Sequence, residues 1–307
     1  MDIHVILNQM VILFLLLAVG FTVGKLKVLT PEGNKALTKV VLFIALPCTI
    51  LSSVLGSEID ITAIDTAFYL LMALFSFVIA FVVAIPIVKL SRGNKENHGL
   101  LTYMCVYSNS GFMGFPVAIA IFGAIGAFYT ALFNIWFNVL SFSVGIMLVA
   151  GKGRRIDPKL LLNPPLIAAI LAIPIAFTGF EIPGILTETI RLTGNITTPG
   201  AMIVIGSSLS FIPIKNMFSE WRIALVSVVK LLLVPFVTWL ILRQFISNEY
   251  MLGVLVVIAA MPTAAQSSMF AIEYDGNERI ASAGVFVTTL LCGITVPLIV
   301  YFLLGAM

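Results

Sequence analysis

The sequence predicts an all-α integral membrane protein of about ten transmembrane helices, and three observations lead to this prediction. Of the 307 residues, 60% are hydrophobic and only 10% are charged, whereas a soluble domain has roughly 25% charged residues. The 17 basic and 14 acidic residues are too few to form the charged shell of a soluble chain of this length. Long apolar runs also recur along the whole chain, separated by short polar segments. Most of the outer surface is therefore expected to face the lipid bilayer.

Ten apolar runs are long enough to cross a membrane, because a spanning helix needs about 20 mainly apolar residues. The predicted helices are 3–24, 35–56, 64–90, 99–123, 126–150, 161–178, 184–212, 220–244, 250–273 and 278–305. The first run has no basic region before its apolar stretch and is followed by Lys25 and Lys27. We therefore interpret it as a retained helix and not as a signal peptide.

Basic residues alternate between successive connections, which predicts how the chain is oriented. Connections one, three, five and seven carry Lys25, Lys27, Lys35, Lys89, Arg92, Lys95, Lys152, Arg154, Arg155, Lys159, Lys215 and Arg222, whereas connections two, four and six carry none. Short cytoplasmic connections are enriched in Lys and Arg. We therefore predict a multi-pass protein of the cell (inner or plasma) membrane with both termini outside. The ninth connection, with Arg279 as its only basic residue, is the weakest member of the pattern.

The most basic connection lies near the middle of the chain and leaves five predicted helices on each side. An odd number of helices makes the two halves enter the membrane in opposite directions, as in an inverted-topology repeat. We predict a first repeat at 1–150, a basic cytoplasmic linker at 151–159 and a second repeat at 160–307. In transporters built in this way, the substrate site lies near the midplane, at discontinuous helices in matching positions.

The fourth and ninth predicted helices occupy matching positions in the two halves, and each combines a proline with small polar residues. Proline removes a helix hydrogen bond and frees a carbonyl, and a bound substrate is one possible partner for such freed groups. The alternative is that the prolines only kink the helices and that neighbouring side chains fill the gap. Proline alone does not identify a site, since Pro86 and Pro297 also fall within predicted helices. The candidate residues are Asn109, Ser110, Gly111 and Pro116 in the fourth helix and Pro262, Thr263, Gln266 and Ser267 in the ninth.

Lys230 is the most informative charged residue. It lies in the eighth predicted helix, about 12 Å along the helix axis from Arg222 at the cytoplasmic end. An ammonium at that depth is expected to face a cavity or a partner, where it could counter a carboxylate substrate or replace a coupling cation. The alternative is that Lys230 bonds to neighbouring carbonyls and only stabilises the helix bundle.

Two further sets of polar residues lie on single helix faces. Asn134 and Asn138 share a face of the fifth helix, where they either reach the substrate site or pack helices together. Glu188 and Arg191, three residues apart near the outer end of the seventh helix, are interpreted as a structural pair.

The remaining composition argues against several other functions. Cys48, Cys105 and Cys292 lie in apolar runs without paired spacing or a nearby His, so we predict no disulfide framework, metal or cofactor. Basic residues are confined to short connections, which argues against nucleic acid as a partner.

An enzyme is not predicted, because the sequence shows no zinc or nucleophile motif and no carboxylate pair at depth. A cation antiporter would need buried carboxylates. A membrane sensor or receptor stays open as an alternative, although the chain has almost no soluble domain with which to signal.

Three sequence motifs carry a resemblance to a known family that extends over the whole chain. They are the Asn-x-Gly-x-x-Gly-x-Pro run from Asn109 to Pro116, the MPTAAQ run at 261–266 followed by Ala271 and Tyr274, and the LPCTIL segment at 46–51. These motifs resemble the auxin efflux carrier family. The resemblance implies a ten-helix carrier with a fold similar to the sodium/bile-acid symporters, in which the fourth and ninth helices break and cross.

The resemblance also implies a substrate class and a site. It implies a small organic anion such as malate, malonate or an auxin-like acid, with Asn109, Pro116 and Pro262 lining the crossover. Gln266 stands where family members often carry Asn shortly after the proline, which keeps the amide but lengthens the side chain.

We therefore expect an alternating-access carrier. Helices three to five and eight to ten are expected to move as a transport unit against a scaffold of helices one, two, six and seven. Coupling to sodium, to protons or to voltage alone stays open, as does assembly into a homodimer.

Overall fold

The computed structural model is helical throughout the residues that it describes, which are 3–55, 62–91, 95–150, 163–178, 180, 182–211 and 220–305. The basic linker predicted at 151–159 lies outside these residues, as do Arg92 and Lys215 of the third and seventh connections. The orientation predicted from the basic connections therefore stays a prediction.

Eight α-helices lie in the described residues before 151. They are α1 (Ile3–Lys25), α2 (Pro31–Val40), α3 (Leu46–Ser52), α4 (Ala63–Leu90), α5 (His98–Val106), α6 (Phe115–Phe122), α7 (Ala124–Leu140) and α8 (Ile146–Ala150). Three short π-helical segments lie between these helices. Val41–Ala45 connects α2 to α3, Ser110–Gly114 precedes α6, and Ser141–Gly145 connects α7 to α8. One extra residue per turn in such segments shifts the helix face, and they are frequent at functional sites.

The described residues from 163 onwards also form eight α-helices. They are α9 (Pro164–Thr178), α10 (Gly184–Gly194), α11 (Thr197–Phe211), α12 (Trp221–Val228), α13 (Val234–Leu242), α14 (Glu249–Ala260), α15 (Gln266–Glu273) and α16 (Glu278–Ile299). A π-helical segment, Val229–Leu233, joins α12 to α13, and another, Val300–Leu304, follows α16.

Six stretches of the described residues are long and apolar enough to cross a membrane. They are Asn8–Lys25, Pro31–Ser52, Ala63–Leu90, Ala124–Ala150, Trp221–Leu242 and Glu278–Leu303. Many large apolar side chains on them are exposed, such as Val82 at 66% and Ile294 at 67%. Lipid is the solvent that accommodates such a surface. The prediction of an all-α, multi-pass membrane protein is confirmed.

Proline by itself does not break these helices. Pro86 lies inside α4 and Pro297 lies inside α16, and both helices continue past the proline. Whether an apolar run breaks therefore depends on more than the presence of a proline.

A capping box starts α4. Thr62 Oγ1 accepts from Asp65 N at 3.1 Å, and Thr62 N donates to Asp65 Oδ2 at 3.2 Å.

The prediction of one helix over 184–212 was wrong, because the helix is interrupted at Asn195 and Ile196, between α10 and α11. Thr49 of α3 contacts both sides of this interruption, since its Oγ1 lies 2.8 Å from Gly194 O and 2.7 Å from Thr197 Oγ1. A Cβ on Gly194 would lie 2.9 Å from Thr49 N, so only glycine allows this close approach. A residue distant in the sequence thus satisfies a carbonyl at the end of α10.

Glycine also brings α1 and α11 into close contact. A Cβ on Gly20 would lie 2.5 Å from Ile203 O, and a Cβ on Gly206 would overlap Leu17 O. Small residues allow this kind of backbone approach between membrane helices, where packing and not water exclusion drives association. The first helix is therefore packed directly against α11.

Candidate functional site

Two breaks in the helices meet and pair through their backbones. The helix α5 ends at Val106 and α14 ends at Ala260. Beyond these ends, Asn109 N donates to Pro262 O at 2.8 Å and Ala264 N donates to Tyr107 O at 2.9 Å. These bonds satisfy backbone groups that would otherwise be unpaired at membrane depth. We call residues 107–109 and 261–265 the paired breaks.

Ser108 and Thr263 lie opposite each other at the centre of the paired breaks, in a single antiparallel bridge. Thr263 is fully buried, and its Oγ1 donates to Met104 O at 2.9 Å in the last turn of α5. Its backbone N donates to Thr288 Oγ1 of α16 at 3.2 Å. The break in one segment is therefore held by side chains of the other segment and of α16.

Lys230 contacts both broken segments. Its side chain is fully buried in the π-helical segment between α12 and α13. Its Nζ donates to Ser108 Oγ at 2.6 Å and to Ala259 O at 3.1 Å. The Ala259 carbonyl belongs to the last turn of α14, where the partial negative charge of a helix C-terminus favours a cation.

A small cavity adjoins the Lys230 side chain. Its volume is about 10 Å³ and its lining residues, which include Ser76 and Phe133, contain no Asp or Glu. That volume is enough for about one water molecule. The buried ammonium thus has two neutral oxygen partners and no carboxylate in the cavity beside it.

The side chain of Asn109 caps the short helical segment that follows the first break. Its Oδ1 accepts from Phe112 N at 3.2 Å, whereas its Nδ2 makes no hydrogen bond to any described residue. Next to it, Ser110 Oγ donates to Asn134 Oδ1 at 2.9 Å, and Asn134 Nδ2 donates to Thr130 O at 2.8 Å. Asn134 of α7 therefore supports the first break through Ser110.

The hydrogen bonds of Asn138 do not involve the paired breaks. Its Nδ2 donates to Asn134 O at 2.7 Å, and its Oδ1 accepts from Asn163 Nδ2 at 2.9 Å. Asn163 precedes α9 and accepts from Leu166 N at 3.0 Å. Of the two alternatives for Asn138, this geometry favours helix packing, between α7 and α9.

Gln266 begins α15 directly after the second break and is partly exposed. Its Oε1 lies 3.2 Å from Ser141 Oγ and 3.5 Å from Tyr103 Oη. Its Nε2 makes no hydrogen bond to any described residue, so the amide has one occupied side and one open side. Ser267 is fully buried, and its Oγ has no hydrogen-bond partner among the described residues.

The two remaining candidate residues of the fourth predicted helix are Gly111 and Pro116. Gly111 is partly exposed, and a Cβ built on it would meet nothing within 4 Å. Pro116 is buried in the first turn of α6, where the missing N–H of proline costs nothing. Gly111 therefore borders open space beside Asn109.

Sequence reasoning missed four residues whose side chains form hydrogen bonds within or next to the paired breaks, namely Tyr103, Tyr107, Ser141 and Thr288. One of them carried a detectable signal. Ser141 follows Asn134 and Asn138 at the spacing of one helix face. The others lie in apolar runs, and no local pattern distinguishes them from residues that only pack.

Two other groups of residues are not part of this site. Arg191 donates to Glu188 from Nε at 2.7 Å and from Nη2 at 2.5 Å, and both side chains are about half exposed, as a structural pair would be. The three cysteines are free, and no group of three or more His, Cys, Asp or Glu among the described residues could hold a metal ion.

A multi-pass helical protein with two broken helices paired inside the bundle has the architecture of a membrane transport protein. Comparison with known proteins agrees with this class. Residues 5–300 match the family described as Membrane transport protein, so the chain belongs to that family, which includes the auxin efflux carriers.

Three relatives cover nearly the whole chain. An uncharacterized transporter of Methanocaldococcus jannaschii is 26% identical over 295 residues, covering 92% of this chain and 94% of the relative. A protein of Rhizobium meliloti (strain 1021) named "Putative malonate transporter" is 24% identical over 302 residues, covering 94% and 92%. The uncharacterized transporter YfdV of Escherichia coli (strain K12) is 22% identical over 300 residues, covering 94% and 95%.

Proposed function

We propose that this protein is a secondary carrier of a small organic anion, a mono- or dicarboxylate such as malonate, malate or an auxin-like acid. In this proposal the anion binds at the paired breaks, where the fourth predicted helix (99–123) and the ninth (250–273) cross. One observation carries the proposal. Asn109 and Gln266, one beside each break, have occupied carbonyl oxygens and open N–H groups.

The open amide groups make the site a donor of hydrogen bonds. Asn109 Oδ1 is taken by a backbone N–H, and Gln266 Oε1 is taken by hydroxyl groups. Neither Asn109 Nδ2 nor Gln266 Nε2 is among the fully buried side-chain atoms without a partner, so each keeps some accessible surface. A carboxylate only accepts hydrogen bonds, and bonds to an ionised acceptor are the strong ones.

Lys230 supplies the charge that suits an anion. A buried ammonium is costly unless it is paired, and such a residue inside a membrane protein marks a functional site by default. Lys230 has only neutral partners, Ser108 Oγ and Ala259 O, among the described residues. A carboxylate at the paired breaks would offset this charge through Ser108, which connects Lys230 to the first break.

Substrate entry to the Lys230 side of the site requires the helices to move. The cavity beside Lys230 has a volume of about 10 Å³, which holds about one water molecule and no carboxylate. Alternating access supplies such movement. We infer that predicted helices three to five and eight to ten move together against predicted helices one, two, six and seven. In this proposal the chain consists of two inverted repeats, at 1–150 and 160–307.

The family and one relative support the same substrate class. The chain belongs to a membrane transport family, and the Rhizobium meliloti relative is named for malonate. At 24% identity that relative suggests which acids to test first and no more.

Uptake by the purified protein in sealed liposomes tests the proposal. Radiolabelled malonate, malate and indole-3-acetate are offered with and without a sodium gradient, a proton gradient and an imposed voltage. Saturable uptake of one acid is expected. Strict dependence on sodium or protons would make the protein a symporter, whereas a response to voltage alone would make it an anion uniporter. Folded protein that takes up none of these acids contradicts the proposed substrate class.

A further inference from the structure

Two hydroxyl groups on neighbouring helices contact the same side of the Gln266 side chain. We propose that Tyr103 and Ser141 are positioning residues that hold the Gln266 carboxamide with its oxygen towards them and its N–H groups towards the substrate. The consequence is selection of a carboxylate over the neutral amide of the same acid. The inference rests on the proposed anion carrier and names what gives its site a preference for anions.

The three polar groups form one short hydrogen-bond chain. Tyr103 Oη lies 2.8 Å from Ser141 Oγ, and Ser141 Oγ lies 3.2 Å from Gln266 Oε1. Tyr103 Oη is also 3.5 Å from Gln266 Oε1, at the outer limit of a hydrogen bond. These are the only hydrogen-bond partners that the described residues offer to the Tyr103 hydroxyl.

The direction of this chain follows from burial. Tyr103 is fully buried, so its hydroxyl proton needs an acceptor within the protein. If Tyr103 donates to Ser141 and Ser141 donates onward, the chain must end on an acceptor, which is Gln266 Oε1. The opposite orientation of the amide would place an N–H group against Ser141 Oγ, and one of the two hydroxyl protons, that of Tyr103 or that of Ser141, would then have no acceptor among these three groups, which is unfavourable. The amide orientation is therefore set by the two hydroxyl groups.

Packing on other segments helps to fix the two hydroxyl groups, in addition to the edge contact of the Tyr103 ring with Phe270 of α15, whose centroids are 5.6 Å apart. The Tyr103 ring stacks on the Tyr107 ring, with centroids 4.4 Å apart and planes at 22°. It also lies over Gly145, where a Cβ would be 2.7 Å from the ring. Ser141 is the first residue of the π-helical segment Ser141–Gly145 that joins α7 to α8. Both hydroxyl groups are thus part of a rigid support against which Gln266 is oriented.

Loss of this support would let the amide turn over. A rotated Gln266 would present its carbonyl oxygen to the substrate, which repels a carboxylate but accepts a hydrogen bond from an amide N–H. Removing either hydroxyl group should therefore change which ligand is preferred, and not only how tightly ligands bind. A residue with a merely structural role would weaken both ligands alike.

Malonate uptake by proteoliposomes, with the neutral diamide malonamide as competitor, tests this inference. We expect Ser141→Ala to raise the malonate concentration for half-maximal uptake about tenfold and to improve competition by malonamide relative to malonate. Tyr103→Phe should act in the same direction, and Ser141→Thr, which keeps a hydroxyl, should restore the preference. Ser143→Ala is the matched control, because the Ser143 hydroxyl bonds only to carbonyls of its own helix.

A double-mutant comparison decides whether the hydroxyl groups act through Gln266. Ser141→Ala should have no further effect in a Gln266→Ala protein. Equal effects of Ser141→Ala with and without Gln266, or an unchanged preference between malonate and malonamide in both hydroxyl variants, would overturn the inference while leaving the proposed carrier intact.

Uptake by the wild-type protein distinguishes failure of the proposed carrier function from failure of the inference about Tyr103 and Ser141. If it takes up indole-3-acetate and not malonate, the same variants are compared with indole-3-acetate and its amide, and the expected changes are the same. If the folded wild-type protein takes up none of the acids, the proposed function fails and the inference is overturned with it.

Discussion

The Lys230 ammonium donates a 2.6 Å hydrogen bond to Ser108 Oγ, across 122 positions of sequence. Ser108 lies at the centre of the paired breaks, opposite Thr263. The same ammonium donates to Ala259 O in the last turn before the second break. One buried cation thus connects the π-helical segment Val229–Leu233 to both broken segments.

Lys230→Met should weaken anion binding without unfolding the protein. Met has a similar length and no charge, so the variant removes the ammonium from the site while filling its volume. We expect the half-saturating concentration of the transported acid to rise at least tenfold, while the melting temperature in detergent stays the same or rises. Lys39→Met, at an exposed lysine of α2, serves as the control. An unchanged anion affinity would assign Lys230 a structural role.

The open amide of Asn109 should contribute directly to uptake. Asn109→Ala removes the open N–H groups and also the cap of Phe112 N, which contributes about 1 kcal/mol. Asn109→Asp keeps the capping oxygen but places a negative charge in the site. Both variants should lower uptake, which is compared at equal amounts of folded protein because a negative charge on a side chain that is 6% exposed also lowers stability. Normal uptake by Asn109→Asp would remove Asn109 from the binding site.

Gln266→Ala should lower uptake with little change in stability, because the side chain is partly exposed and its removal leaves two hydroxyl groups that still bond to each other. We expect a fall in transport of about tenfold, in line with one lost hydrogen bond to an ionised ligand. Gln244→Ala, at an exposed residue after α13, is the matched control. If both variants transport normally, the site assignment is wrong.

Thr263→Val should destabilise the paired breaks. The valine has nearly the same shape, but Met104 O loses its buried donor, which costs about 1–3 kcal/mol. Thermal unfolding in detergent should therefore occur at a lower temperature. Thr238→Val is a sharp control, since Thr238 is also fully buried and its Oγ1 has no partner. Equal losses in the two variants would show that the Thr263 hydrogen bond contributes nothing.

Gly206→Ala should disrupt the packing of α1 against α11. The added Cβ would overlap Leu17 O, and overpacking of this kind costs about 1–3 kcal/mol. Lower expression and a lower melting temperature are expected. At Gly184 a Cβ meets nothing within 4 Å, so Gly184→Ala should leave both quantities unchanged. If Gly206→Ala leaves expression and melting temperature unchanged, the two helices can move apart at this contact at little cost.

Arg191→Ala should change neither melting temperature nor uptake. The Arg191–Glu188 pair is about half exposed on a helix surface, and exposed ion pairs contribute little because solvent and salt screen them. The measurement is thermal unfolding and uptake alongside the wild-type protein. A clear loss of uptake would indicate that this outer pair acts in transport.

The sequence by itself determined that the chain spans a membrane many times as helices, because length and apolarity are properties of each local run. It also determined where two helices break, since Pro116 and Pro262 occur with small polar residues in runs that are otherwise apolar. The interruption between α10 and α11 was not predicted, and the contact of Thr49 Oγ1 with Gly194 O joins residues 145 positions apart.

Only the tertiary structure decided what the breaks contact. The pairing of Asn109 with Pro262, the approach of Lys230 to Ser108 and the chain from Tyr103 to Gln266 each join residues more than 100 positions apart. Hydrogen bonds at membrane depth are made with whichever polar group is near, because no water is present to replace a missing partner. Neighbours in space, which a local pattern does not specify, therefore set the polarity of the candidate site.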